Sequence, residues 1–143
     1  MDEKVLLLIR KLNTAMEQEG REGFRPLGIS LSQGFVLGFL LAEQDSQPCA
    51  AQLCGLFGLS RSTLSELLSD LEEKGYLEIS LDPRDHRKKR LIPTPKARDA
   101  EGEIRRVFSR QRLRLQKEIT SQDQEQLECL LRDAGAKEKE EIE

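Results

Sequence analysis

Between Arg84 and Arg90, in the stretch LDPRDHRKKRLIPTPK, five cations fall within seven positions: Arg84, Arg87, Lys88, Lys89 and Arg90. One acid, Asp85, and the chain's single histidine, His86, stand among them. Clustered guanidinium and ammonium groups bind anions, and phosphate-bearing polymers are the anions they suit best. Taken alone, the run fits equally a solvated loop, a localisation-type basic patch or a membrane-surface contact. The neighbouring residues discriminate. Upstream lies GLSRSTLSELLSDLEEKG, in which Arg61, Ser62, Ser65, Glu66 and Ser69 fall opposite a stripe of leucines. Short hydroxyls let a helix approach a surface closely and exchange hydrogen bonds with phosphates and base edges. A helix tuned for solubility alone carries lysine and glutamate there.

Other chemistries lack their residues. There is one histidine, no glycine-rich phosphate loop, and no nucleophile–base pair with a group to orient it, so no catalytic residue is assigned and the chain does not read as an enzyme. Cys49, Cys54 and Cys129 form no disulfide framework and fit a reducing compartment. With a single histidine they offer no zinc site, so neither a metal nor a cofactor is expected. Cys49 and Cys54, five apart on one expected helix, point about 140° from each other. Buried packing is the role expected of them.

The elements that position the two basic and polar stretches follow from periodicity. Length (143 residues) suits one domain, and 34% charged residues with 4% aromatics suit a helical protein with broad solvated faces. No apolar run approaches the ~20 residues of a membrane span, and VLLLI follows acids rather than a basic leader. A cytoplasmic location with no membrane contact is therefore expected. Residues 3–19 predict a helix with Val5, Leu8, Ile9, Leu12 and Ala15/Met16 on one face, widened by Leu6 and Leu7 beyond what one partner helix covers. Gly20, Gly23, Pro26 and Gly28 predict a connecting loop. Ser32 is expected to cap a second helix whose Gly34 and Gly38 mark close packing, with room for a small ligand as the alternative.

A helix with Pro48 in its first turn is expected to run to Phe57 and close at Gly58. Ser60 caps the next, with Leu64, Leu67, Leu68 and Leu71 inward, and Gly75 ends it. Two helices joined by FGLS make a helix-turn-helix. YLEISL and RKKRLIPT then predict a hairpin turning at Asp82-Pro83 and stopped by Pro93 and Pro95, which is a wing. From Pro95 a long helix is expected with Ile104, Val107, Phe108, Gln111, Leu115 and Ile119 on one face. Ser121 is expected to cap a last helix bearing Leu127, Leu130 and Leu131. The fold class is mainly α with a small β-hairpin wing.

GLSRSTLSELLSDLEEKGYLEI followed by DPRDHRKKRLIPTPKA resembles the MarR family of bacterial transcription regulators, and the order of helices extends the likeness over about the whole chain. The resemblance implies a single MarR-like domain, 1–143. Its winged helix-turn-helix spans about 31–95, its dimerisation helices about 1–20 and 96–135, and a frayed tail 136–143. It implies a homodimer, which accounts for the over-wide face at Val5–Leu12, and a sequence-specific regulator of double-stranded DNA reading a pseudo-palindromic operator. By position, Ser60, Arg61, Ser62, Thr63 and Ser65 would lie at the major groove. Arg84, His86 and Arg87 would sit at or beside the wing tip, with Lys88 and Lys89 following. The family commonly has Arg or Lys where this chain has His86. Asp85 is expected to pair with Arg84 or Arg87 and hold the wing's shape. The likeness further implies a repressor released by an unidentified small-molecule effector. A protein-interaction adaptor and a thiol-based redox sensor are the alternatives.

Overall fold

The computed structural model describes residues 3–43 and 46–136. Its first helix, α1 (Glu3–Gly23), runs past the expected stop. Gly20 and Gly23 are helical because they are contact points: a Cβ on Gly20 would lie 2.8 Å from Leu31 Cδ1, and one on Gly23 2.7 Å from Val107 Cγ2. Chain reversal falls later, in a short turn Arg25–Leu27 closed by Gly28 at φ 70°, a left-handed conformation that glycine adopts without strain. Helix α2 (Leu31–Ala42) is capped by Ser30, not Ser32. Ser30 wins because Gln33 stands three residues on and returns the bond, which closes a capping box. Gly34 and Gly38 are packing glycines. The Phe24 ring would be 2.4 Å from a Cβ on Gly34, and Ile104 3.3 Å from one on Gly38.

Helix α3 (Ala50–Phe57) starts later than expected, so Pro48 precedes the cap residue, Cys49, instead of lying in the first turn. Cys49 is therefore outside the helix and exposed, contrary to the burial expected of it, whereas Cys54 is half-buried against the core. Gly58 at φ 64° closes α3, and Ser60 caps α4 (Arg61–Glu73). Strands β1 (Leu77–Asp82) and β2 (Asp85–Pro93) pair antiparallel, with Leu77 opposite Pro93 and Ile79 opposite Leu91. Thr94 caps α5 (Pro95–Glu118), and Ile119, expected on its inner face, is its C-cap. Thr120, not Ser121, caps α6 (Ser121–Leu131), because Asp123 completes a capping box with it. A final turn, Arg132–Ala136, ends the described chain; the expected frayed tail lies, from residue 137 on, outside the described residues.

One core runs through α2, α4, the base of the hairpin and the first half of α5. Phe24, Val36, Leu37, Leu53, Leu64, Leu71 and Ala97 are all at most 1% exposed. All five phenylalanines of the chain join one aromatic string: Phe24 meets Phe108, Phe108 stacks tilted on Phe35 at 4.4 Å, and Phe57 meets both Phe35 and Phe39. This ties α2 and α3 to α5. The other end of the molecule differs. Leu6 and Leu8 (64% each) on α1, Leu113 on α5 and Leu130 (58%) on α6 lie open. No described helix is long and apolar enough to cross a membrane.

Candidate nucleic-acid interface

Helix α4 presents its polar face because its leucines are spent inward: Leu64, Leu67, Leu68 and Leu71 are 1%, 8%, 8% and 0% exposed. Opposite them Arg61, Ser62, Thr63, Ser65, Glu66 and Ser69 are all exposed. Ser60 belongs to the cap more than to this face. Its Oγ accepts the Thr63 amide at 3.1 Å, donates to Thr63 Oγ1 at 2.8 Å and lies 3.3 Å from Ser62 Oγ, so the three hydroxyls at the helix start form one local group. Arg61 forms no ion pair among the described residues and projects from the first turn, where the helix N-terminus already favours an anion.

The hairpin does not have the regular form expected of it. Leu81 pairs with Lys89 while the next residue, Asp82, pairs with Asp85, so His86, Arg87 and Lys88 bulge out with no partner on β1. Bulges re-aim side chains and increase local twist. Here the bulge frees the cations from strict alternation, which survives only at Lys89 and Arg90. Arg84 occupies the two-residue tip with Pro83, its amide held at 2.9 Å by Asp82 Oδ1. Asp85 has the shape-holding geometry: its Oδ1 accepts the Arg87 amide at 3.1 Å and lies 3.9 Å from Arg87 Nε. The Arg87 side chain is nevertheless 95% exposed, so its charge stays available.

Two cations just beyond the run have other employment. Lys96 Nζ donates to the Lys74 carbonyl at 2.6 Å and sits 4.4 Å from the centre of the Tyr76 ring; Arg98 donates to the Pro93 carbonyl at 3.0 Å. Arg98 fastens the base of the wing to α5, and Lys96 fastens the exit of α4 to it. Thr94 adds to this, its hydroxyl donating to the Gly75 carbonyl at 2.6 Å. Glu72 near the end of α4 accepts the Ile79 amide at 3.1 Å, which ties the polar helix to the hairpin.

Sequence reasoning missed the residues that seat α4. Gln33 is 5% exposed, yet its amide makes three bonds: Oε1 accepts the Ser30 amide, and Nε2 donates to Asp70 Oδ2 at 2.7 Å and to the Leu67 carbonyl at 3.4 Å. Lys74 pairs with Asp70 at 2.7 Å and donates to the Gly28 carbonyl at 2.5 Å. The Lys74 ammonium and, after it, the Gln33 amide hold the Asp70 carboxyl below its ordinary range. Tyr76 Oη donates to the Leu27 carbonyl at 2.6 Å, and burial raises its pKa. A glutamine three residues after a serine was the available signal, and it reports the cap alone.

A cleft of about 350 Å³ opens where α1 and α5 diverge, lined by Glu19, Glu22, Gly23, Val107, Arg110 and Arg114. Arg114 pairs with Glu19 through Nη1, while its Nη2 is buried without a hydrogen-bond partner. Nearby, Gln111 donates to the Met16 carbonyl at 2.9 Å. Among the described residues no three His, Cys, Asp or Glu side chains gather to hold a metal.

A two-helix motif with its outer helix capped and polar, followed at once by a basic hairpin, defines a winged helix-turn-helix protein. The chain's residues 27–88 match the model of the MarR family, in line with the resemblance read from the sequence. The likeness in fold covers nearly the whole molecule. The structure of the Staphylococcus aureus MepR–DNA complex superposes with a TM-score of 0.80 at 22% identity, covering 90% of this chain and 93% of that one. CouR from Rhodococcus jostii RHA1 bound to p-coumaroyl-CoA gives 0.78 at 22% identity over 91% and 90%. A second S. aureus MepR structure, described as a transcription regulator of the multidrug efflux pump MepA, gives 0.62 at 22% identity over 89% and 93%. No curated protein matches the chain by sequence.

Proposed function

We propose that this protein is a homodimeric, sequence-specific double-stranded DNA-binding regulator of transcription, acting as a repressor that a small-molecule effector releases. The observation that carries the reading is the pairing of a capped, hydroxyl- and arginine-faced α4 with a hairpin whose Arg84, Arg87 and Lys88 stand free of the ladder. In this reading Arg61, Ser62, Thr63 and Ser65 face base edges and phosphates in the major groove, with Ser60 supporting them from the cap. Arg84, His86 and Arg87 reach the adjacent minor groove, where a narrow groove concentrates negative potential. Lys88 and Lys89 serve the backbone. The likeness in fold to MepR in its DNA complex supports it.

The dimer rests on the open leucines of α1 and α6, large apolar side chains left exposed at helical spacing. A second copy would bury it and place two α4 helices on half-sites one helical turn apart. The effector rests on the cleft between α1 and α5, whose size suits a small ligand and whose lining includes Arg110 and Arg114. Cys49 and Cys129 are exposed free thiols.

Selection from a random DNA pool tests the reading. A pseudo-palindromic motif is expected, bound with an affinity that falls steeply as salt rises. Selection of no consistent motif would overturn it in favour of a protein-binding adaptor.

A further inference from the structure

The four inward leucines fix how deeply α4 sits, but apolar contact is non-directional and tolerates small rotations about the helix axis. Rotation matters for a reading helix, because a few degrees swing Arg61 and Ser65 across the groove floor. Directional bonds restrain it; beside the Glu72 bond to the hairpin and the Lys96 bond to the α4 exit, four of them converge on one short strap, residues 27–33. Leu27 receives the Tyr76 hydroxyl, Gly28 receives Lys74, and Gln33 reaches Asp70 and the Leu67 carbonyl. The donors and acceptors on the other side belong to the second half of α4 and its exit. Gln33 has both hydrogens and its oxygen engaged, two of the bonds to α4 and one to its own cap.

The strap is also the continuation of α1. Gly20 admits Leu31 against the α1 backbone, so the end of α1 is packed directly on the strap. We infer that Gln33, with Asp70 and Lys74, is a positioning set that fixes the rotation of α4 and transmits to it the setting of α1. None of these three side chains needs to touch DNA. They would decide which bases the exposed face meets, while the wing's cations hold the phosphates. The inference rests on the DNA-binding reading above.

The test measures discrimination, not affinity alone. Gln33→Met keeps the side-chain length and removes all three bonds; Lys74→Met acts at the partly exposed end of the set, where folding is least at risk. For each variant, binding is titrated to the motif selected by the wild type, to the same site with one base pair changed per half, and to random duplex. The expected result is a loss of about tenfold in preference for the selected motif. Affinity for random duplex and its salt dependence are expected to stay unchanged, and the double variant to lose less than the sum of the two singles. A merely structural role predicts an equal loss on all three duplexes, in step with melting temperature, and that result overturns the inference. So does unchanged preference in Lys74→Met if Gln33→Met fails to fold. A wild type with no preference at all would instead remove the reading on which the inference stands.

Discussion

Helix α4 carries Leu64, Leu67, Leu68 and Leu71 behind a capping serine, and α6 carries Leu127, Leu130 and Leu131 behind a capping threonine. The lettering is nearly the same: leucines at helical spacing and a hydroxyl at the start. Yet all four leucines of α4 are at most 8% exposed, while those of α6 are 37%, 58% and 46% exposed. Each fully buried leucine contributes about 1.5–3 kcal/mol, so α4 is held in place within one chain and α6 is not. An apolar stripe states that a partner exists; it does not state which molecule supplies it. α1 repeats the lesson from the other end. Its Gly20 and Gly23 end is locked into the core, while Leu6 and Leu8 lie open.

Leucine truncations test this contrast most strongly. Leu64→Ala, at a site 1% exposed, is expected to cost about 2–5 kcal/mol, read as a fall in the urea midpoint that does not depend on protein concentration. A fall of under about 1 kcal/mol would mean that the α4 seat is loose. Replacing Leu8 and Leu130 by Asp attacks the open end. Self-association should weaken by about a hundredfold or more, equivalent to about 2.7 kcal/mol, in sedimentation equilibrium, while circular dichroism keeps the helices. A double variant that sediments like wild type would show that these leucines are not an interface.

Smaller effects sharpen the division of labour inside the polar face. Arg61→Ala is expected to cost about 1–3 kcal/mol on the selected DNA and to relax base preference. Arg87→Ala should weaken binding to all sequences alike and lower the salt slope by about 1. An interchange of those two signatures would reverse the roles of helix and wing. Asp70 gives the smallest effect, a pH dependence. Its carboxyl is held below the ordinary value by Lys74 and Gln33, so its contribution is complete above the unfolded-state value of about 4 and is lost as pH falls through the lowered folded value. Asp70→Asn should therefore flatten the acid limb of a urea-midpoint titration, and an unchanged limb would mean that the pair contributes nothing to the seat.

Much of the site was readable one residue at a time. Ser60, Gly58, Gly75 and the turn at Asp82-Pro83 fell where capping and turn chemistry place them. The misses have a common cause. Ser32 and Ser121 lost their caps to Ser30 and Thr120, because a cap is settled by which residue finds its reciprocal partner three positions on. Gly20 and Gly23 looked like loop residues, since nothing local reveals a neighbour pressed against a helix. Lys96 and Arg98, which follow the basic run in the sequence, are turned to structural use by the carbonyls of Lys74 and Pro93.

The sequence by itself determined which segments are helices and strands, where the hydroxyl face of α4 begins, and that a basic hairpin follows it. These depend on periods, caps and turns, all of them interactions within a few residues. Tertiary structure alone decided which cations of the run are free, how the bulge at His86–Lys88 aims them, and that Gln33, Asp70 and Lys74 hold the helix that carries the hydroxyls. Those choices join residues as far as 46 positions apart, and a directional bond over that distance exists only once the core between them has closed.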